Sequence, residues 1–195
     1  MDITQHTALV VVDVQQGFED PFWGTRNNPA ADDNIAALIE AWQSAGRPVV
    51  FVRHDSTESW SPLRPGTSGN DFKPYVEDRR GKGPGPELLV SKVVNSAFYG
   101  SPDLDEWLKE AGVEQFVVAG IQTNMCVETT ARMGGNLGYG VILPLDATHT
   151  FDLEGPFGWT QNADELSRST AVSLHGGGFA KVTSTEEVLR AATEG

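Results

Sequence analysis

The chain has 195 residues, with 14 basic against 27 acidic side chains and a formal net charge of -13 at pH 7. That length suits one domain, residues 1–195, which would bury roughly 70% of the surface its unfolded chain exposes. The charge opposes nucleic acids and anionic membranes at long range and favours a neutral or cationic small-molecule ligand, although acidic excess also serves solubility alone.

The first residues, Met1 to His6, are polar and acidic, with no basic segment leading into an apolar run, so they read as no signal peptide. The longest apolar stretches, such as Ala8 to Val12 and Leu88 to Val90, are strand-sized and too short for a membrane span. A single cysteine, Cys126, cannot form an internal disulfide, which points to a reducing, cytoplasmic setting.

Thr7 to Val12 is a continuous apolar run ending in the carboxylate of Asp13, the pattern of a central strand buried on both faces. Asn34 to Ala45 carries Ile35, Leu38, Ile39 and Trp42 at helical spacing, and Gly46 then Pro48 end it. Val49 to Val52 is a second strand. Ser56 to Pro86 is rich in Pro, Gly and Ser, and a loop this long inside one domain is functional or disordered. It could serve as a lid or as a contact between subunits. Leu88 to Lys92 reads as a short strand, Leu104 to Ala111 as a helix and Gln115 to Gly120 as a strand. A helix to about Gly134, a strand from Gly140 to Leu145 and a helix from about Asn162 to Leu174 follow. The chain closes with a strand near Phe179 to Val182 and a helix from Glu186 to Thr193. The Gly176-Gly177-Gly178 run reads as a turn, since it lacks the context of a phosphate cradle. Strands alternating with helices predict a doubly wound α/β fold with a parallel sheet between helical layers.

Open sheets of this kind place their sites at the carboxyl ends of strands. Three strands here end in chemistry: Asp13, Lys92 and, just past a turn, Cys126. Each has an ordinary alternative. Cys126 could be a small buried hydrophobe, Asp13 a cap for the turn at Gln15 to Phe18, and Lys92 a surface lysine. Together they fit one mechanism. A free thiol titrates near pH 8.5, so Cys126 needs a base or a cation to become a nucleophile. Asp13 can take the thiol proton and return it to a leaving amine, and Lys92 can stabilise both anions. If Cys126 sits in the first turn of the following helix, the dipole end should favour thiolate. Backbone N–H groups of the Gly120 to Cys126 turn would then form an oxyanion hole.

The segments Val11-Val12-Asp13-Val14-Gln15, Ser91-Lys92, Ser96-Ala97-Phe98, Gly120-Ile121-Gln122-Thr123-Asn124-Met125-Cys126-Val127 and Asp146-Ala147 resemble those of isochorismatase-like cysteine hydrolases. That group includes nicotinamidases, N-carbamoylsarcosine amidases, ureidoacrylate-type amidohydrolases and isochorismatases. The resemblance runs from about Thr7 to the last strand. It implies a three-layer, Rossmann-like α/β/α fold around a mainly parallel six-stranded sheet, assembled as dimers or larger homo-oligomers. It also implies a cis peptide at Ile121-Gln122, with the N–H groups of Gln122 and Cys126 facing the oxyanion.

Within the group, isochorismatase itself typically lacks the cysteine, so Cys126 argues for hydrolysis of an amide or related C–N bond. Nicotinamidases carry a metal on an Asp-x-His pair with a further His, whereas the matching segment reads Val52-Arg53-His54-Asp55-Ser56. His6, His54, His149 and His175 lack metal spacing, so neither a metal nor another cofactor is expected. The candidate pocket residues are Phe18, Trp23, His54, Trp60, Phe98 and Phe151, with Phe22 among the same strand-end aromatics. Two other readings stand beside the C–N hydrolase: vinyl ether cleavage through Asp13, and a non-catalytic binding or thiol-sensing protein.

Overall fold

The computed structural model of the chain describes residues 1–194. In chain order the strands are β1 (Thr7–Val12), β2 (Val49–His54), β3 (Glu87–Lys92), β4 (Gln115–Ile121) and β5 (Gly140–Pro144), then β6 (Thr148–His149), β7 (Leu153–Glu154), β8 (Thr160–Gln161) and β9 (Lys181–Thr183). The helices are α1 (Ala31–Ser44), α2 (Pro74–Glu77), α3 (Leu104–Glu110), α4 (Glu128–Asn136), α5 (Ala163–Gly176) and α6 (Thr185–Glu194). A seven-stranded sheet runs β3-β2-β1-β4-β5-β9, with β6 joined to β4 off that path. Its pairings are all parallel. The expected six strands form the main path, and β6 is the addition.

Every residue of β1 is buried, and alternate side chains serve opposite layers. Leu9 and Val11 join Ile35, Leu38, Ile39 and Trp42 of α1 and Val188 and Ala192 of α6. Ala8, Val10 and Val12 join Leu104 and Leu108 of α3, Ala131 of α4 and Leu174 of α5. These two layers make the three-layer fold. Each large apolar side chain so buried contributes about 2 kcal/mol, and Trp42 also satisfies its indole N–H on Thr7 O at 2.8 Å.

Helix α1 starts three residues before the expected Asn34, because Asp32 and Asp33 suit the positive end of a first turn. The long segment from Ser56 to Pro86 is built rather than loose. It holds the one-turn helix α2 and buries Leu63, Phe72 and Val76 in the α1 layer. Asn70 ties it to the end of β2, donating to His54 O at 3.1 Å and to Asp55 Oδ1 at 3.0 Å. The antiparallel hairpin β7–β8 lies where no strand is expected. Its residues are exposed, so no buried alternation marks it. Among the described residues, no helix is long and apolar enough to cross a membrane.

Candidate active site

Asp13 follows β1 with φ +52°, a left-handed conformation that Asp tolerates better than most side chains. Its N–H still bonds Val52 O at 2.9 Å, so the carboxylate leaves the sheet edge from a fixed backbone. The alternative as a turn cap does not hold. Gln15 occupies the cap position of the Gln16–Glu19 turn, without a side-chain cap bond, and Asp13 faces Lys92 instead.

Lys92 ends β3, beside His54 of β2 in the parallel register. Its ammonium crosses that strand to reach Asp13 Oδ2 at 2.6 Å, both side chains being fully buried. On the way it meets His54 Nδ1 at 3.0 Å. Burial works against the charge on Lys92, but the carboxylate of Asp13 and the neighbouring Cys126 outweigh it and raise the lysine above its ordinary range. Burial and then the Lys92 ammonium push His54 down, opposed by Asp13 and Asp55, leaving a neutral imidazole.

The third component depends on Gly120. Its φ is +128°, and a Cβ there would lie 2.0 Å from Val12 O, so only glycine lets β4 pass this close to the residue before Asp13. The Ile121-Gln122 peptide that follows is cis. The chain then makes a π-helical turn, Thr123–Val127, in which Val127 N donates to Gln122 O at 3.2 Å. Cys126 lies in that turn, ahead of α4.

One side-chain oxygen, nitrogen or sulfur each from Asp13, His54 and Cys126 lie within 4.8 Å of one another. Asp13 Oδ1 is buried with no hydrogen-bond partner. The thiol has Asn95 Oδ1 as an acceptor at 3.9 Å. The expectation of a resting thiolate is corrected here. Burial and then the Asp13 carboxylate push the Cys126 thiol well up, and Lys92 offsets this only in part. The dipole end of the helix does not overcome desolvation and a buried negative charge.

Asp13, His54 and Cys126 are also the residues that could offer ligands to a metal. They fit one poorly, because a protonated lysine is hydrogen-bonded to two of the three and would repel a cation. Asp55, in the segment that matches the nicotinamidase ligand pair, is engaged by Arg53 Nε at 2.8 Å and Asn70 Nδ2 at 3.0 Å.

A cavity of about 220 Å³ opens on the cluster, lined by Asp13, Phe18, Trp23, His54, Leu63, Asn95, Gln122, Met125 and Cys126. Phe18, Trp23 and His54 are there as expected. Phe151 stands behind the wall, its ring centroid 6.2 Å from Phe18 and 5.7 Å from Trp23. Two expectations are corrected. Phe98 packs in the opposite layer against Phe116 and Tyr139, because the turn Ala97–Tyr99 carries it under the sheet. Trp60 is 62% exposed and reaches the wall only through Phe22, 5.3 Å away. Leu63, Asn95 and Met125 complete the lining, beyond the pocket residues the sequence suggests. Asn95 and Met125 lie close in sequence to Lys92 and Cys126, the signal that points to them.

An isochorismatase domain matches residues 7–187. The chain belongs to the isochorismatase family. This isochorismatase-family hydrolase is 35% identical over 182 residues to the isochorismatase family protein YrdC of Bacillus subtilis (strain 168), covering 93% of this chain and 94% of that one. It is 29% identical over 191 residues to Nicotinamidase 3 of Arabidopsis thaliana, covering 94% and 87%. An isochorismatase-family structure from Chromobacterium violaceum ATCC 12472 superposes with a TM-score of 0.90 at 37% identity, covering 100% of this chain and 97% of that one.

Proposed function

We propose that the chain hydrolyses a C–N bond of a small amide, ureide or lactam through a thioester on Cys126. The observation that carries this reading is the unpartnered, buried Asp13 Oδ1 in the same cluster as the only thiol, while Oδ2 is held by Lys92.

Asp13 Oδ1 takes the thiol proton as the sulfur adds to the substrate carbonyl carbon. Backbone N–H groups of Gln122 and Cys126 receive the negative oxygen of the tetrahedral intermediate. Asp13 then returns the proton to the nitrogen as the C–N bond breaks, leaving a thioester and a free amine or ammonia. Water, deprotonated by Asp13, adds to the thioester. The C–S bond breaks, the acid departs and the thiol regains its proton. Lys92 keeps its charge throughout and stabilises the anionic stages. The buried thiol costs little here, because proton transfer and attack occur together and no free thiolate must persist.

The likeness to a protein named as a nicotinamidase supports C–N cleavage. The cavity lining supports it too, since it holds Cys126, which vinyl ether cleavage through Asp13 would not require. The test is amine or ammonia release from a panel of amides, ureides and lactams. At least one should turn over, with Cys126→Ala lowering kcat at least about a thousandfold. No turnover of the panel, with a vinyl ether cleaved by Cys126→Ala but not by Asp13→Asn, would instead select the vinyl ether type of chemistry.

A further inference from the structure

His54 has a role that nucleophile, base and lysine leave open. Its backbone is fixed, with the N–H donating to Gln15 Oε1 at 2.8 Å and the carbonyl accepting from Gln15 Nε2 and Asn70 Nδ2. Its ring is fixed as well, because Lys92 Nζ lies 3.0 Å from Nδ1. An ammonium can only donate, so Nδ1 must be the accepting nitrogen. A neutral imidazole then carries its hydrogen on Nε2. Among the described residues Nε2 has no protein partner, and it is not among the fully buried unpartnered atoms. The ring lines the cavity. The result is an oriented, uncharged N–H donor, not fully buried, on a residue that lines the cavity.

The rest of the lining limits what that donor can meet. Phe18, Trp23, Leu63 and Met125 are apolar, Asn95 and Gln122 add only uncharged amides, and no arginine or lysine lines the cavity. Lys92, just behind it, is buried and already spent on Asp13. A substrate carboxylate would be desolvated beside Asp13 with no cation to receive it.

We propose that His54 Nε2–H is a specificity-determining donor of this site, selecting an uncharged substrate with a second hydrogen-bond acceptor beyond its scissile carbonyl. The inference rests on the thiol reading above, and one experiment separates the two. Aldehydes add reversibly to a thiol. Sulfur bonds the carbonyl carbon, the thiol proton passes to the former carbonyl oxygen, and nothing leaves. Cys126 is the only cysteine, so protection against iodoacetamide reads each adduct directly.

The probes are benzaldehyde, pyridine-3-carboxaldehyde, pyridine-4-carboxaldehyde and 3-formylbenzoate. The better pyridine aldehyde should protect at a concentration at least about tenfold below benzaldehyde, and the formylbenzoate should need at least about tenfold more. The pyridine ring also makes its aldehyde intrinsically more electrophilic, so His54→Phe should lower the pyridine-to-benzaldehyde ratio at least about fivefold rather than abolish it. His54→Gln, which keeps an N–H at similar reach, should retain part of it. A ratio that both variants leave unchanged, or formylbenzoate as the best protector, overturns the role of His54 while the thiol reading stands. No protection by any aldehyde overturns both.

Discussion

The ammonium of Lys92 lies 2.6 Å from Asp13 Oδ2 with both side chains fully buried, while Asp13 Oδ1 is buried and unpartnered. One carboxylate oxygen anchors the pair and the other is left without a hydrogen-bond partner. Such a pair is expensive to break, since removing one partner strands a charge in a poorly solvating interior.

Lys92→Met is therefore expected to lower the unfolding free energy by about 3–5 kcal/mol in urea titrations. Adding Asp13→Asn should recover part of the loss, because the double variant buries no charge. Strictly additive losses would mean the two side chains do not interact.

Asp13→Asn should separate thiol reactivity from catalysis. Asp13 raises the Cys126 thiol and Lys92 lowers it, so the variant should alkylate with iodoacetamide at a lower midpoint pH than the wild type. Its turnover should nevertheless fall at least about a hundredfold, for want of the group that protonates the leaving nitrogen. A midpoint that rises, or turnover that persists, counts against Asp13 as the acid and base.

Acid should destabilise the fold through buried imidazoles before carboxylates titrate. His149 is fully buried with both ring nitrogens unpartnered, and burial, then Arg26 and Lys73, push it down to about 3. Unfolding frees it to protonate near its ordinary 6.5. The stabilisation is thus complete above about pH 6.5 and is lost as pH falls toward 3, because the unfolded chain binds the proton first. His54 acts with the same sign. In urea titrations between about pH 6.5 and 4.5, His149→Met should lose less stability per pH unit than the wild type. Equal slopes would show that His149 is not the group responsible.

Gly120→Ala should destabilise by at least about 2 kcal/mol. The new Cβ meets Val12 O from a backbone angle that side chains disfavour. The thermal midpoint reads the effect, and an unchanged midpoint would mean that β4 and β1 can separate without cost.

Much of this molecule was legible in the chain. The apolar run Ala8 to Val12 of β1 marks a central strand because it is covered on both faces, and the α1 stripe of Ile35, Leu38, Ile39 and Trp42 marks a helix. Asp13, Lys92 and Cys126 could be placed on one edge because parallel strands deliver their carboxyl ends together. The pocket was harder to read. Loop aromatics carry no periodicity, so in the sequence Phe98 and Trp60 are as plausible as Phe18 and Trp23. The direction each takes depends on local turns and on the course of the Ser56 to Pro86 segment. Leu63 reaches the cavity from that segment, which sequence pattern does not fold. The state of the thiol is hidden from the sequence for a related reason. Helix position is visible in a sequence, whereas burial beside a carboxylate is a tertiary property.

Rapid acid quench followed by mass spectrometry of the Cys126 peptide, through the first turnover of the best amide from the panel, reads whether a thioester forms on Cys126. The acyl mass should appear on Cys126 as the amine is released and disappear as the acid forms. An unmodified Cys126 peptide at every time point, while amine and acid accumulate together, would contradict the thioester.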